Sequence, residues 1–175
     1  MCIRDSLNSL LPPTIDLLVI DGLGESIAVW QQCGESNRSA ADEAWQGTQF
    51  SQCQRDDFID DMATAYAWAD VVIARAGALT VSELAATGTP SILIPLPQAI
   101  DDHQTRNAQV LTETGGAVMV AQSEATPERI ADRLEQWIQS PASLLEMARR
   151  AVGMITTNAT DEVVAVLTEA AHAND

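Results

Sequence analysis

Basic residues are scarce in this chain: nine Lys and Arg stand against 25 Asp and Glu, a formal net charge of −16 at pH 7. A surface of that sign argues against tracking a nucleic-acid backbone, which takes clustered cations, and against unaided adsorption to anionic lipid. Any phosphate must be bound locally, by backbone N–H groups and a helix end. Cysteine is equally sparse. Cys2, Cys33 and Cys53 are odd in number and lack metal-ligand spacing, which argues against a disulfide framework or a zinc site and for buried or idle thiols. No metal and no cofactor is expected. No apolar run approaches the roughly 18 to 20 residues that span a bilayer. The opening residues lack the basic, apolar and small-residue layout of a signal peptide, so a cytosolic location is expected.

The 175 residues that are present suffice for one domain with a sizeable core. "MCIRDS" does not read as the start of a domain, and the expected division is a non-native leader over 1–6 and one domain over 7–175. A helix-like stretch, "LNSLLPPTIDLLVIDGLGES", comes first. "SIAVWQQCG" reads as a strand with Ile27 and Val29, "SNRSAADEAWQ" as a helix, "TQFSQCQ" as a strand, and "IDDMATAYAWA" as a helix with Met62, Tyr66 and Ala69 on one face. From Val71 the pattern is regular: strand "VVIAR", helix "TVSELAATG", strand "SILIP", helix "DHQTRNAQVLTETG", strand "GAVMVA". Continuous apolar strands alternating with helices predict an α/β fold built on a parallel sheet. "TPERIADRLEQWIQ" follows as a helix with Ile130, Leu134, Trp137 and Ile138 at helical spacing, Thr126 as N-cap and Pro127 in the first position. Helices over Pro141–Val152 and Asp161–Ala171 complete the expectation.

"RAGALT", Arg75 to Thr80, joins a strand to a helix, the place where ligands sit in parallel sheets. Gly77 between two alanines leaves the helix end bare, open to a diphosphate approaching the N–H groups around Leu79 and Thr80. The same glycine also suits a tight turn that needs backbone angles closed to other residues. Thr80-Val81-Ser82-Glu83 fits a capping box, with Glu83 reaching back to the Thr80 N–H; a carboxylate one turn into such a helix also suits ribose hydroxyls. In "PLPQAIDDHQTRNA" the spacing favours Asp101 or Asp102 as an N-cap over a metal site with His103. Gln104 and Asn107 share a helix face, either to meet sugar hydroxyls or as a solvated surface.

"DDFIDDMATAYAWADVVIARAGALTVSELAATGTPSILIPLP" and "DDHQTRNAQVLTETGGAVMV" together resemble the C-terminal domain of the bacterial MurG family, the UDP-N-acetylglucosamine transferases that make lipid II from lipid I. The likeness runs from about Leu7 to the C-terminus and is dense between Asp57 and Val120. It implies a GT-B glycosyltransferase, a hexosyltransferase of peptidoglycan synthesis, with this chain as its C-terminal, Rossmann-like half: a parallel sheet flanked by helices. By position it implies Ile59 at the uracil through its backbone, Ala78, Leu79 and Thr80 at the diphosphate, Glu83 at the ribose and Gln104 at the N-acetylglucosamine. Val81 and Ser82 lie in the same matched segment, and Arg75, Gly77 and Asn107 are further candidates. The implied partners are the UDP-N-acetylglucosamine donor and a lipid I acceptor, with no nucleic acid. The implied place is the cytoplasmic face of the inner membrane, peripherally through a domain this chain lacks. The implied processes are cell wall biogenesis, cell shape, cell division and the cell cycle. The family's N-terminal domain and the glycine-rich loop before Leu7 are expected to be missing, and one extra residue is expected between Pro95 and Asn107. The general base is expected on the missing domain, neither His103 nor His172 having a strong claim, so the fragment alone is expected to be inactive. The alternatives are a non-catalytic nucleotide-sugar binding module, a related GT-B transferase, or a UDP-N-acetylglucosamine epimerase.

Overall fold

The computed structural model describes residues 5–97 and 102–152. Cys2, Asp101, His172 and the helix expected over Asp161–Ala171 lie outside them.

Helix α1, Asp5–Ile20, forms in spite of Pro12 and Pro13 in its interior. Each proline costs the helix about 3 kcal/mol. Burial of Leu10, Ile15 and Leu18 offsets this, at about 1.5 to 3 kcal/mol for each such side chain. The next elements are β1 (Val29–Gln32), α2 (Arg38–Trp45) and β2 (Cys53–Asp56). The second strand therefore starts later than the expected "TQFSQCQ". Pairing of Val29 with Cys53 sets the register, while Phe50 is held in the preceding loop against the Trp45 ring, 6.1 Å between centroids.

Helix α3 (Met62–Trp68) is capped by Asp61, whose carboxylate accepts from the Thr64 N–H. The regular half follows as β3 (Val72–Ala74), α4 (Ala78–Thr87), β4 (Ser91–Leu93), α5 (His103–Glu113) and β5 (Ala117–Met119), then α6 (Pro127–Gln139) and α7 (Pro141–Val152). All pairings are parallel, as expected. The strands form two sheets, however, β1-β2 and β3-β4-β5.

Strand alternation splits the core of the larger sheet. Leu93 joins Tyr66, Val81, Leu84 and Leu111 on one face, and Ile92 and Ile94 join Leu10, Val120, Ile130 and Trp137 on the other. Helix α1 serves both sheets, because Leu10 packs under β3-β4-β5 while Ile15 and Leu18 pack with Trp45, Val29 and Cys53. At the end of α4, Gly88 takes φ 69, and a Cβ there would meet Val152 Cγ2 at 2.5 Å and the Ala148 carbonyl oxygen at 3.2 Å. Helix α7 can close against α4 only over a glycine. Among the described residues no helix is long and apolar enough to cross a membrane.

Candidate functional site

Strand β3 ends in a turn that brings Ala76 wholly inside and puts Gly77 at the N-cap of α4. Ala78 and Leu79 are good helix formers, so the helix starts at Ala78, ahead of the expected Thr80. Two expectations about this turn are overturned. Gly77 has φ −63 and ψ 146, angles open to any residue, and a Cβ on it would meet only Thr80 Oγ1, at an ordinary 3.7 Å. The Thr80–Glu83 capping box does not form either. Thr80 is already inside the first turn, and no side chain caps the helix.

The first helical bond within α4 runs from the Val81 N–H to the Gly77 carbonyl, 2.9 Å. The amides of Ala78, Leu79 and Thr80 precede it and have no carbonyl of their own helix to bond. Ala78 and Leu79 stand exposed above them, Leu79 at 72 %. A helix start with Gly77 and Ala78 at its entrance, aligned amides and a partial positive charge suits an anion. Val81 is buried and its amide is spent, so it supports the turn from below, whereas Ser82 is exposed.

Glu83 faces α3. Its Oε2 accepts a hydrogen bond from the Tyr66 hydroxyl at 2.9 Å. Burial, first, and then the hydrogen bond and charge of Glu83 push the Tyr66 phenol well above its usual range, so it stays a donor. Asn107 and Gln104 are not a solvated face: Asn107 Nδ2 donates to the Ala76 carbonyl at 3.1 Å, and Gln104 Oε1 accepts from the Leu96 N–H at 3.1 Å. From α5 they hold the loops that leave β3 and β4. Arg75 Nη1 donates to the Ile94 carbonyl at 2.9 Å and Nη2 to Ser6 Oγ, so its head ties β3 to β4 and α1. Burial lowers its pKa.

Ile59 belongs to the other sheet's end. It is buried, and its N–H donates to Oε1 of Gln32, the last residue of β1, at 3.0 Å. Asp102 does take the N-cap position of α5, but with φ 55 and no capping bond from its side chain. Among the described residues no group of three or more His, Cys, Asp and Glu could hold a metal ion. Two residues here were not singled out for the site from sequence. Gln32 carries no motif. Tyr66 was read as a core residue, although a buried phenol has to find an acceptor and Glu83 is the carboxylate on the neighbouring helix.

Residues 5–163 match the family described as "Glycosyltransferase family 28 C-terminal domain". A UDP-N-acetylglucosamine–N-acetylmuramyl-(pentapeptide) pyrophosphoryl-undecaprenol N-acetylglucosamine transferase from Shewanella sp. (strain ANA-3) is 44% identical over 160 residues, 91% of this chain and 43% of the relative. The transferase of the same name from Tolumonas auensis is 42% identical over 158 residues, 90% of this chain and 43% of the relative. The chain thus spans less than half the length of the relatives it matches. Among solved structures, the crystal structure of Acinetobacter baumannii MurG superposes with a TM-score of 0.79 at 36% identity, covering 94% of this chain and 46% of that one. The glycosyltransferase VinC, solved in complex with DTDP, superposes with a TM-score of 0.64 at 16% identity, over 93% of this chain and 38% of that one, a likeness of fold alone.

Proposed function

The chain belongs to the glycosyltransferase family 28 C-terminal domain family, and on that premise we propose that it is the donor half-site of a transferase that moves N-acetylglucosamine from UDP-N-acetylglucosamine to lipid I, giving lipid II. The observation that carries this reading is the open start of α4, where the Ala78, Leu79 and Thr80 amides have no carbonyl of their own helix to bond and no side chain caps them. The diphosphate sits there. Glu83 accepts the ribose hydroxyls, the backbone at Ile59 meets the uracil, and the Gln104 amide meets the N-acetylglucosamine. Gly77, Arg75 and Asn107 shape the turn, with Val81 and Ser82 completing its first helical turns.

In the reaction a hydroxyl of the acceptor attacks the anomeric carbon, and the bond to the diphosphate breaks with inversion. Negative charge grows on the departing UDP, and amide dipoles already aimed at it stabilise the transition state more than the ground state. The proton of the attacking hydroxyl needs a general base, which this proposal places, with the acceptor site, in the part of the relatives that this chain does not span. Membrane association, peripheral and on the cytoplasmic face of the inner membrane, belongs to that part too. So does the link to cell shape and cell division that follows from making lipid II.

Calorimetric titration of the chain with UDP, UDP-N-acetylglucosamine, ADP and NAD, beside a transfer assay on a lipid I analogue, tests the assignment. The expected result is weak binding of the two uridine nucleotides, none of ADP or NAD, and no transfer. Equal binding of ADP would remove the uridine donor site, and turnover by this chain alone would refute the division of labour.

A further inference from the structure

The bond between Tyr66 and Glu83 goes beyond the donor reading. Tyr66 stands on α3 with its ring in the core shared with Val81, Leu84 and Ala85 of α4, and only 6% of it is exposed. Its hydroxyl reaches out of that core to one oxygen of Glu83, which is half-buried on the first turns of α4. An ionised carboxylate only accepts, through two oxygens with about four lone-pair sites between them. One bond from a phenol therefore leaves lone pairs for a diol.

We propose that Tyr66 is a positioning residue for nucleotide recognition: its hydroxyl grips Glu83 Oε2, fixes the side-chain torsions, and presents Oε1 to both ribose hydroxyls. This rests on the donor reading above. An unheld Glu has three torsions to freeze when a ligand arrives, and that entropic cost comes out of affinity. Held from a rigid core ring, the carboxylate is set before the nucleotide binds. Burial and the Glu83 carboxylate raise the phenol pKa, which favours the protonated donor. A purely structural bond, one that only satisfies a buried phenol, predicts no dependence on which nucleotide is bound.

The test compares UDP with 2′,3′-dideoxyuridine 5′-diphosphate, which has no ribose hydroxyl for Glu83 to accept, on the full chain and on Tyr66→Phe. The expected result is about a fivefold loss of UDP affinity in Tyr66→Phe, with less than a twofold change for the dideoxy nucleotide. In Glu83→Gln, adding Tyr66→Phe should cost nothing more. Equal losses for both nucleotides, or no loss for either, would overturn the inference and leave the donor site standing. If the parent chain binds neither nucleotide, the donor site and the inference fall together. A second readout does not depend on the variant folding. Tyr66 is the single tyrosine in the sequence, so a ζ-13C-tyrosine label gives one resonance. It should shift with UDP and stay in place with the dideoxy nucleotide, and equal shifts with both would also overturn the assignment.

Discussion

Gly77→Ala separates a glycine kept for the protein from one kept for a ligand. The backbone at Gly77 lies at φ −63 and ψ 146, and the added methyl would touch nothing closer than Thr80 Oγ1, at 3.7 Å. Folding should barely notice. Loss of unfolded-state freedom favours alanine by about 0.4 to 1 kcal/mol, and the poorer N-cap disfavours it by about 0.5 to 1, so the two nearly cancel. For a chain of this size 1 kcal/mol moves Tm by about 2 to 4 °C, and the shift should stay inside that. A diphosphate on the Ala78–Thr80 amides is another matter. Its oxygens must come to about 2.9 Å from those nitrogens, over the same first turn that the methyl enters. Affinity for UDP should fall tenfold or more, about 1.4 kcal/mol, while uridine, which carries no phosphate, binds as before. Calorimetry with both ligands, beside a melting curve, reads all three quantities. A folded Gly77→Ala that binds UDP within a factor of two of the parent means that the diphosphate does not sit at this helix end.

Other perturbations test the same structure from different sides. Ala78→Asp puts a carboxylate on an exposed first-turn position, favourable for the helix by about 0.3 to 1 kcal/mol, yet it should abolish most UDP binding and spare uridine; unchanged UDP affinity contradicts the anion site. Glu83→Gln, with no capping box to lose, should leave Tm nearly unchanged and weaken UDP clearly, and a large fall in Tm with intact binding would mean the carboxylate is structural. Gly88→Ala has to hold a left-handed residue, at about 1 to 2 kcal/mol, and displace Val152, so Tm should drop by about 4 °C or more; an unchanged Tm contradicts the contact of α7 with α4. Acid should destabilise the fold through carboxylates held below their usual range, chiefly Asp42, by hydrogen bonds from Arg55 and Arg38, and Asp61, by Thr64. Their contribution is present above the ordinary Asp pKa of about 3.9 and fades as pH falls through the lower folded value. The urea midpoint should therefore fall between pH 5 and pH 3, less steeply in Asp42→Asn. A slope unchanged in that variant removes Asp42 from the account.

The regular half of the fold was legible because strong local signals agree there. Thr126-Pro127 marks the start of α6, where the Thr126 hydroxyl does accept from the Arg129 N–H, and glycine closes α4. The first half was harder to read, for physical reasons. Helix α1 contains two prolines that propensity opposes, and tertiary burial decides its fate. Strand β2 is polar, Cys-Gln-Arg-Asp, and its limits come from pairing with β1 instead of from its own pattern. The division into two sheets leaves no mark in hydrophobic periodicity, which reports whether a strand is covered and not which edge it pairs.

Around the start of α4, the open turn was legible and the hydrogen-bond partners were not. Strand-turn-helix spacing located the open turn before α4, since a helix start after a parallel strand is open by construction. Spacing alone then misassigned Glu83, because the S/T-x-x-E pattern is indifferent to where the helix begins. Once Ala78 opens α4, Thr80 loses the N-cap position and the carboxylate is released to a partner seventeen residues back. Gln104 and Asn107 follow the same logic. Their shared face is evident at i, i+3, but only the fold shows that it meets the backbone at Leu96 and Ala76 and not open water. Two side-chain amides, an arginine and a phenol thus bind the surroundings of the turn, and the exposed first turn of α4 is the part they leave open. Polar side chains that hold a loop rigid while its amides face outward preorganise it for an anion, and a donor site needs that rigidity before any ligand arrives.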